Sequence, residues 1–274
     1  MKFENTYVGN FEGAFRGMRL PMNSFAKADS DFGIGDCYEW LDGCANEVAN
    51  SYLWDKDNNY ISDIDKEEKI EWLHENGDLR FGKHAGEYCY IGKNDLDLAQ
   101  RLIKGGSPHD KFLRQIFVSV DITAPFYLWK ELDQYKVGTV TDSESTMHRL
   151  ASKPITMDCF EMDDYEGRLL MYEREPYDLD AFTDDMWESV INYCETLRQS
   201  YLKTKDQRYW KELIRILPEG WLQKRQWTAN YSVVRAIVHQ RDGHRLTEWN
   251  AFIDWTKTLP YANELLLFNN IDNN

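Results

Sequence analysis

The chain has 274 residues, with 47 acidic against 32 basic side chains and a formal net charge of −15. That balance excludes general binding to DNA or RNA backbones, which requires a basic surface, but it leaves room for a small anionic ligand held by a local cluster of cations. At 42% hydrophobic and 14% aromatic, with ten Trp, the sequence is rich enough for a sizeable core.

The five cysteines (Cys37, Cys44, Cys89, Cys159, Cys194) are odd in number and form no Cys-x-x-Cys pair. Scattered free thiols fit a reducing cytoplasm and no zinc site. The opening "MKFENTYVGNFEGAF" lacks the apolar core of a signal peptide, and no apolar run reaches membrane-helix length. A cytoplasmic protein with neither membrane nor nucleic-acid partners is expected. No repeat or low-complexity linker divides the chain, so residues 1–274 are read as a single domain with an insertion at about 25–93.

In chain order, residues 10–24, "NFEGAFRGMRLPMNS", put Arg16 and Arg19 on a helix that Pro21 ends. Residues 25–93 lack sustained periodicity and read as loops, short strands and one helix near "KEEKIEWLHENG". "NDLDLAQRLIKGG" predicts a helix with Asp95 near its start and glycines after its end. "RQIFVSVDI" sets Ile116, Val118 and Val120 against Phe117, Ser119 and Asp121, the period of a half-buried strand. "TAPFYLWKELDQYK" then reads as a helix with Thr123 as cap and Pro125 in its first turn. "VGTVTDSESTMHRL" reads as a polar, hydroxyl-rich loop. "TDDMWESVINYCETLRQSYLKT" and "LTEWNAFIDWTKTL" are predicted helices, and "WTANYSVVRAIVHQRDGH" is a third between them. The class is α+β, rich in helix.

That third segment places Asn230, Val234, Ile237 and Arg241 on one helical face, with His244 following. An arginine on an apolar stripe most often pairs with a carboxylate; the alternative is an anionic ligand. Two further segments carry polar residues suited to chemistry: "HDKFLRQI" with His109, and "KVGTVTDSESTMHR" with Lys136, Ser143, Glu144, Ser145, His148 and Arg149. Singly, a histidine before a strand is commonly a surface or capping residue, and such a loop is commonly a solvated turn.

Together the three segments resemble the flavin-dependent thymidylate synthases. His109 lies seven residues before Ile116, and the strand leads through Ala124-Pro125, as in that family. Leu217-Pro218, the eight residues "EGWLQKRQ", Trp227-Thr228-Ala229-Asn230, and Arg241 eleven positions on repeat the family's carboxyl-terminal spacing without a gap. "GAFRGMR" is similar to its first arginine-bearing helix. The match covers roughly residues 10–24 and 94–256. The chain departs at the Arg-His-Arg signature, where it has Gln134-Tyr135-Lys136, and Ser145 falls one residue later than the family serine.

The resemblance implies a helix-rich α+β fold with a central antiparallel sheet. It also implies transfer of a one-carbon unit from methylenetetrahydrofolate to dUMP or a related pyrimidine nucleotide. In such enzymes FAD supplies the hydride and NADPH reduces the flavin. By this likeness His109, Lys136 and Asn230 face the flavin, with Lys136 neutralising phosphate. Arg241, Glu144, His148 and Arg149 face the nucleotide, and Arg241 and Ser145 are the catalytic candidates. A lysine gives a phosphate a point contact where an arginine gives a fork, so flavin binding is expected to be weak or conditional. The likeness implies a homo-oligomer, a tetramer with shared sites. The alternative is a nucleotide-binding or regulatory protein with altered or lost catalysis on the same fold.

Overall fold

The alternation in "FVSVDITAP" buries Val118, Val120, Ile122 and Ala124 and turns Ser119, Asp121 and Thr123 to the other face. This strand, Phe117–Pro125, is a middle strand of the main sheet. The computed structural model describes residues 1–34, 80–81, 87–162 and 179–268. The strands are β1 (Lys2–Gly9), β2 (Asp31–Ile34), β3 (Arg80–Phe81), β4 (Glu87–Tyr90), β5 (Phe117–Pro125), β6 (Val140–Ser143) and β7 (Leu222–Asn230). The helices are α1 (Phe11–Arg19), α2 (Lys93–Lys104), α3 (Phe126–Leu132), α4 (Thr146–Ser152), α5 (Leu179–Thr204), α6 (Gln207–Ile216), α7 (Tyr231–Arg241) and α8 (Glu248–Lys257).

The main sheet has the order β1-β5-β7-β6 and is antiparallel. At one end of the β5–β7 ladder Tyr231 N–H donates to the Ile116 carbonyl, and at the other Phe126 N–H donates to that of Trp221. A second sheet, β2-β4-β3, pairs Asp31 with Tyr90 and Ile34 with Glu87. The fold is thus the helix-rich α+β class with a central antiparallel sheet. The helix read near "KEEKIEWLHENG", and most of the insertion read at 25–93, lie outside the described residues. No helix among the described residues is long and apolar enough to cross a membrane.

Three local readings are corrected. Thr123 and Pro125 do not open a helix: they complete β5, and Pro125, in extended conformation, is the N-cap of α3. "VGTVTDSESTMHRL" is not a loop throughout, because Val140–Ser143 joins the sheet as β6 and Thr146–Ser152 forms α4. "WTAN" does not begin a helix. Trp227 and Ala229 alternate with Gln226 and Thr228 at period two, so the segment ends β7. The sequence reading also passed over β1, α6 and most of β7.

Contacts gather the chain into two compact units. The first comprises Met1–Lys2, Asp121–Lys136 and Thr141–Gln226; the second comprises Phe3–Val120, Val137–Val140 and Trp227–Asn274.

In the first unit, Leu150, Ile155, Phe160, Cys194, Leu197, Trp210, Leu213 and Trp221 form the core between α4, α5 and α6. A polar clamp closes its margin. Glu195 accepts from Arg198 Nε and Nη2, both at 2.7 Å, and from the Ile155 N–H at 2.8 Å, while Arg198 Nη1 donates to the Ala151 carbonyl. The hydrogen bonds from Arg198 outweigh partial burial and hold the Glu195 carboxyl at about 2, against an ordinary 4.5. A depressed carboxyl stabilises the fold fully above its ordinary range, and that contribution disappears as pH falls from about 4.5 toward 2. With the carboxylate 26% exposed, solvent screening leaves about 1–2 kcal/mol. Urea melts at pH 6 and pH ~3 are expected to show this loss, and Glu195→Gln is expected to flatten that part of the profile.

In the second unit, aromatic rings dominate the core. Trp227 meets Phe252 edge-on at 6.0 Å, Phe252 meets Trp249 at 5.8 Å and Trp255 at 5.2 Å, and Phe3 stacks on Trp255 at 4.8 Å. Such pairs add roughly 0.5–1.5 kcal/mol each beyond area burial. Asp95, read as an acid near the start of α2, is buried within it and pairs with buried Arg19, Nε to Oδ1 at 2.5 Å. The cap of α2 comes instead from Asp29, whose carboxylate accepts the N–H groups of Asn94 and Asp95. Gly92 makes this approach possible, since a Cβ there would lie 2.1 Å from the Asp29 carbonyl oxygen.

Candidate functional site

Within the first unit, β6 hands the chain to α4 through Glu144 and Ser145. Glu144 N–H donates to the Lys224 carbonyl at 3.0 Å, which extends the sheet ladder to the doorstep of the helix. Ser145 is the N-cap residue, and its carbonyl accepts the N–H groups of His148 and Arg149. Glu144, Ser145, His148 and Arg149 therefore share one turn of chain. Glu144 Oε2 lies 3.4 Å from Arg149 Nε, and Ser145, His148 and Arg149 are all exposed. Lys136 is exposed just past the turn that ends α3, three residues after Asp133.

Beneath this turn lies a buried polar frame that the sequence reading missed. Gln223 on β7 is 7% exposed. Its Nε2 donates to the Glu144 carbonyl at 2.9 Å and to Thr146 Oγ1 at 3.1 Å. Its Oε1 accepts from Arg225 Nε at 2.8 Å. Arg225 lies over the Trp129 ring at 4.4 Å and donates from Nη1 to both oxygens of Asp133, at 3.0 and 3.1 Å. Trp129 Nε1 donates to the Gln223 carbonyl at 3.0 Å. The sequence signal was present: in "LQKRQWTA" a glutamine and an arginine share the period-two face of Trp227 and Ala229.

Within the second unit, Asn230 does not lie on the stripe of α7 but caps it. Its backbone is extended, and its Oδ1 accepts the Val233 N–H at 3.1 Å. Gly138, at φ +83°, passes directly over this cap: a Cβ there would lie 2.6 Å from Asn230 Nδ2, and few side chains tolerate that φ. Arg241 is the last residue of α7. Cap and arginine are thus eleven residues apart, about 16 Å of helix at ~1.5 Å per residue, so the geometry does not set Arg241 beside Asn230. Arg241 lies over the Trp249 ring at 4.7 Å, with Nη1 3.2 Å from His244 Nε2. His109 is exposed at the start of a 3-10 segment, His109–Gln115, that separates it from β5.

Half-buried Arg235 and exposed His239, four residues apart, lie on one flank of α7. Arg235 Nη1 donates to the carbonyls of Leu265 and Leu266, at 3.3 and 2.9 Å, the last two residues of the π-helix Ala262–Leu266. Burial disfavours its charge while Asp110 supports it. Burial, and then Arg235, push the His239 imidazole below its ordinary value, which favours the neutral ring near pH 7.

Residues 136–149 expose the Lys136 ammonium, the Ser145 hydroxyl, the His148 imidazole and the Arg149 guanidinium, alongside the carboxylates of Asp142 and Glu144, the second of which pairs with Arg149. The four donors complement phosphate oxygens.

No family model matches the sequence, and no curated protein matches it. Solved structures do. A crystal structure of thymidylate synthase X from Helicobacter pylori with FAD and dUMP covers 100% of this chain and 100% of its own, at 13% identity and a TM-score of 0.54. A second structure of the flavin-dependent thymidylate synthase from Helicobacter pylori, complexed with FAD and dUMP, covers 64% of this chain and 83% of its own at 15% identity, with a TM-score of 0.44. At these identities the full-length likeness is one of fold: the chain has a thymidylate synthase X-like architecture.

Proposed function

We propose that the chain binds a pyrimidine nucleotide and FAD, and transfers a one-carbon unit from methylenetetrahydrofolate to dUMP or a related nucleotide. The observation that carries this reading is the exposed donor set of Lys136, Ser145, His148 and Arg149, which suits phosphate on a fold whose solved counterpart holds FAD and dUMP. Lys136, His109 and Asn230 would hold the flavin. Arg241, His148 and Arg149 would hold the nucleotide, with Glu144 keeping Arg149 oriented, and Ser145 would act with Arg241 on the pyrimidine. FAD, when bound, supplies the hydride, and NADPH restores it. The working form is a cytoplasmic homotetramer.

Lys136→Arg is the sharpest test of flavin binding. A guanidinium donates two parallel hydrogen bonds to a phosphate where an ammonium gives one point contact, so the variant is expected to bind FAD roughly tenfold tighter than wild type. Spectrophotometric titration with FAD checks this. The departure at Gln134-Tyr135-Lys136 favours one second reading, a nucleotide-binding regulatory protein without catalysis. Binding of dUMP by both proteins with binding of FAD by neither selects it.

A further inference from the structure

We propose that Gln223 and Arg225 form a positioning relay that locks the turn carrying Ser145 to the turn leading into Lys136. The functional half of this inference rests on the nucleotide-binding reading above; the mechanical half stands on geometry alone.

The relay has a fixed direction. Only the carbonyl oxygen of a glutamine amide can accept from Arg225 Nε–H, and only its NH2 can donate to the Glu144 carbonyl. With Arg225 at 2.8 Å on one side and Glu144 at 2.9 Å on the other, a flipped amide would set donor against donor and acceptor against acceptor. Arg225 thus dictates the orientation of the Gln223 amide. That amide in turn holds Glu144 and Thr146, the two neighbours of Ser145.

At its other end Arg225 grips Asp133, the C-cap of α3, through both carboxylate oxygens. Asp133 immediately precedes Gln134-Tyr135-Lys136. Trp129 supports the guanidinium from one face and fixes the Gln223 backbone through its indole N–H. An amide 7% exposed is costly to bury unless its bonds are made, and here both its donor and acceptor sides are engaged. The network consists of bonds whose partners are specified atom by atom, so two turns well separated in sequence share one rigid reference. A ligand phosphate held at either turn meets donors whose spacing the other turn helps to fix.

Hydrogen exchange followed by mass spectrometry tests the relay without any ligand. In Gln223→Leu and in Arg225→Met, the amides of His148 and Arg149 and those of Gln134 and Tyr135 are expected to exchange about tenfold faster, the equivalent of one or two lost buried hydrogen bonds. Amides of α6 are expected to stay as in wild type, which shows that the unit remains folded. Unchanged exchange at 148–149 in Arg225→Met would overturn the relay, because the hydrogen bonds of Arg225 reach that turn by way of Gln223.

The functional half is read by dUMP titration. Ser145→Ala is expected to weaken dUMP binding about fivefold and Gln223→Leu at least as much, since it releases the turn that carries Ser145, His148 and Arg149; the double variant is expected to bind no more weakly than Gln223→Leu alone. Multiplying effects, or wild-type affinity in Gln223→Leu, would overturn the positioning role. Failure of wild type to bind dUMP would instead sink the nucleotide reading, with the exchange result still deciding the relay.

Discussion

Replacing Asp95 by alanine is expected to destabilise the protein by about 3–5 kcal/mol, the cost of leaving a buried charge without its partner. Arg19 is 3% exposed and Asp95 2% exposed, so solvent cannot take over the lost role. The carboxylate also accepts from the backbone N–H groups of Asp29 and Ser30, at 3.1 and 3.0 Å. Removing it therefore orphans a guanidinium Nε and two amides at once. The remaining Arg19 donors reach the carbonyls of Ser24 and Lys27, so the whole turn after α1 depends on this arginine staying in place. Asp95→Asn keeps an oxygen acceptor but not the charge, and is expected to fall between wild type and alanine. Urea denaturation of the three proteins checks the order. A loss under ~1 kcal/mol for Asp95→Ala would show the pair to be dispensable.

Arg241→Ala is expected to lose about 2–5 kcal/mol of dUMP affinity, the usual cost of truncating one side of a charged contact. Its effect on folding should be smaller, about 1 kcal/mol for the guanidinium lost from the Trp249 face. Thermal melts with and without dUMP separate the two effects. The wild type gains stability by mass action as the nucleotide rises through its Kd, whereas the variant gains little at the same concentration. A variant that melts far below wild type yet gains the full increment from dUMP would make Arg241 a structural residue.

Legibility in the sequence followed periodicity only in part. β5 and α2 were readable because a clear period runs through each, with an interruption at the end, whereas α6 was passed over although it is the most strongly amphipathic of the described helices. Glycine follows α2, for example, and Val118, Val120 and Ile122 alternate through β5. Asn230 was misread because cap and stripe share one helical spacing: a residue at N-cap lies where the first stripe residue would. Only the pairing of Trp227–Asn230 with β5, a long-range fact, separates the two. Thr123 failed similarly, since Thr followed by Ala-Pro mimics a helix start while the sheet ladder continues to Pro125.

In the candidate site, the exposed groups were visible as a run of hydroxyl and basic residues. The frame beneath them was not, because Asp133, Glu144 and Gln223 are brought together only by the order of β6, β7 and α3. Arg19 was noticed as a helix arginine, but its partner lies 76 residues away, beyond the reach of local pattern.

The measurement that bears most directly on the functional account is a thermal melt of the wild-type protein across a dUMP titration, repeated with FAD present. The account predicts a saturable rise in Tm, equivalent to about 2.7 kcal/mol when dUMP reaches a hundred times its Kd. It further predicts that FAD in excess adds a second, smaller increment. A Tm that does not move with dUMP up to ~10 mM, far above the range in which a dedicated nucleotide site works, would contradict it.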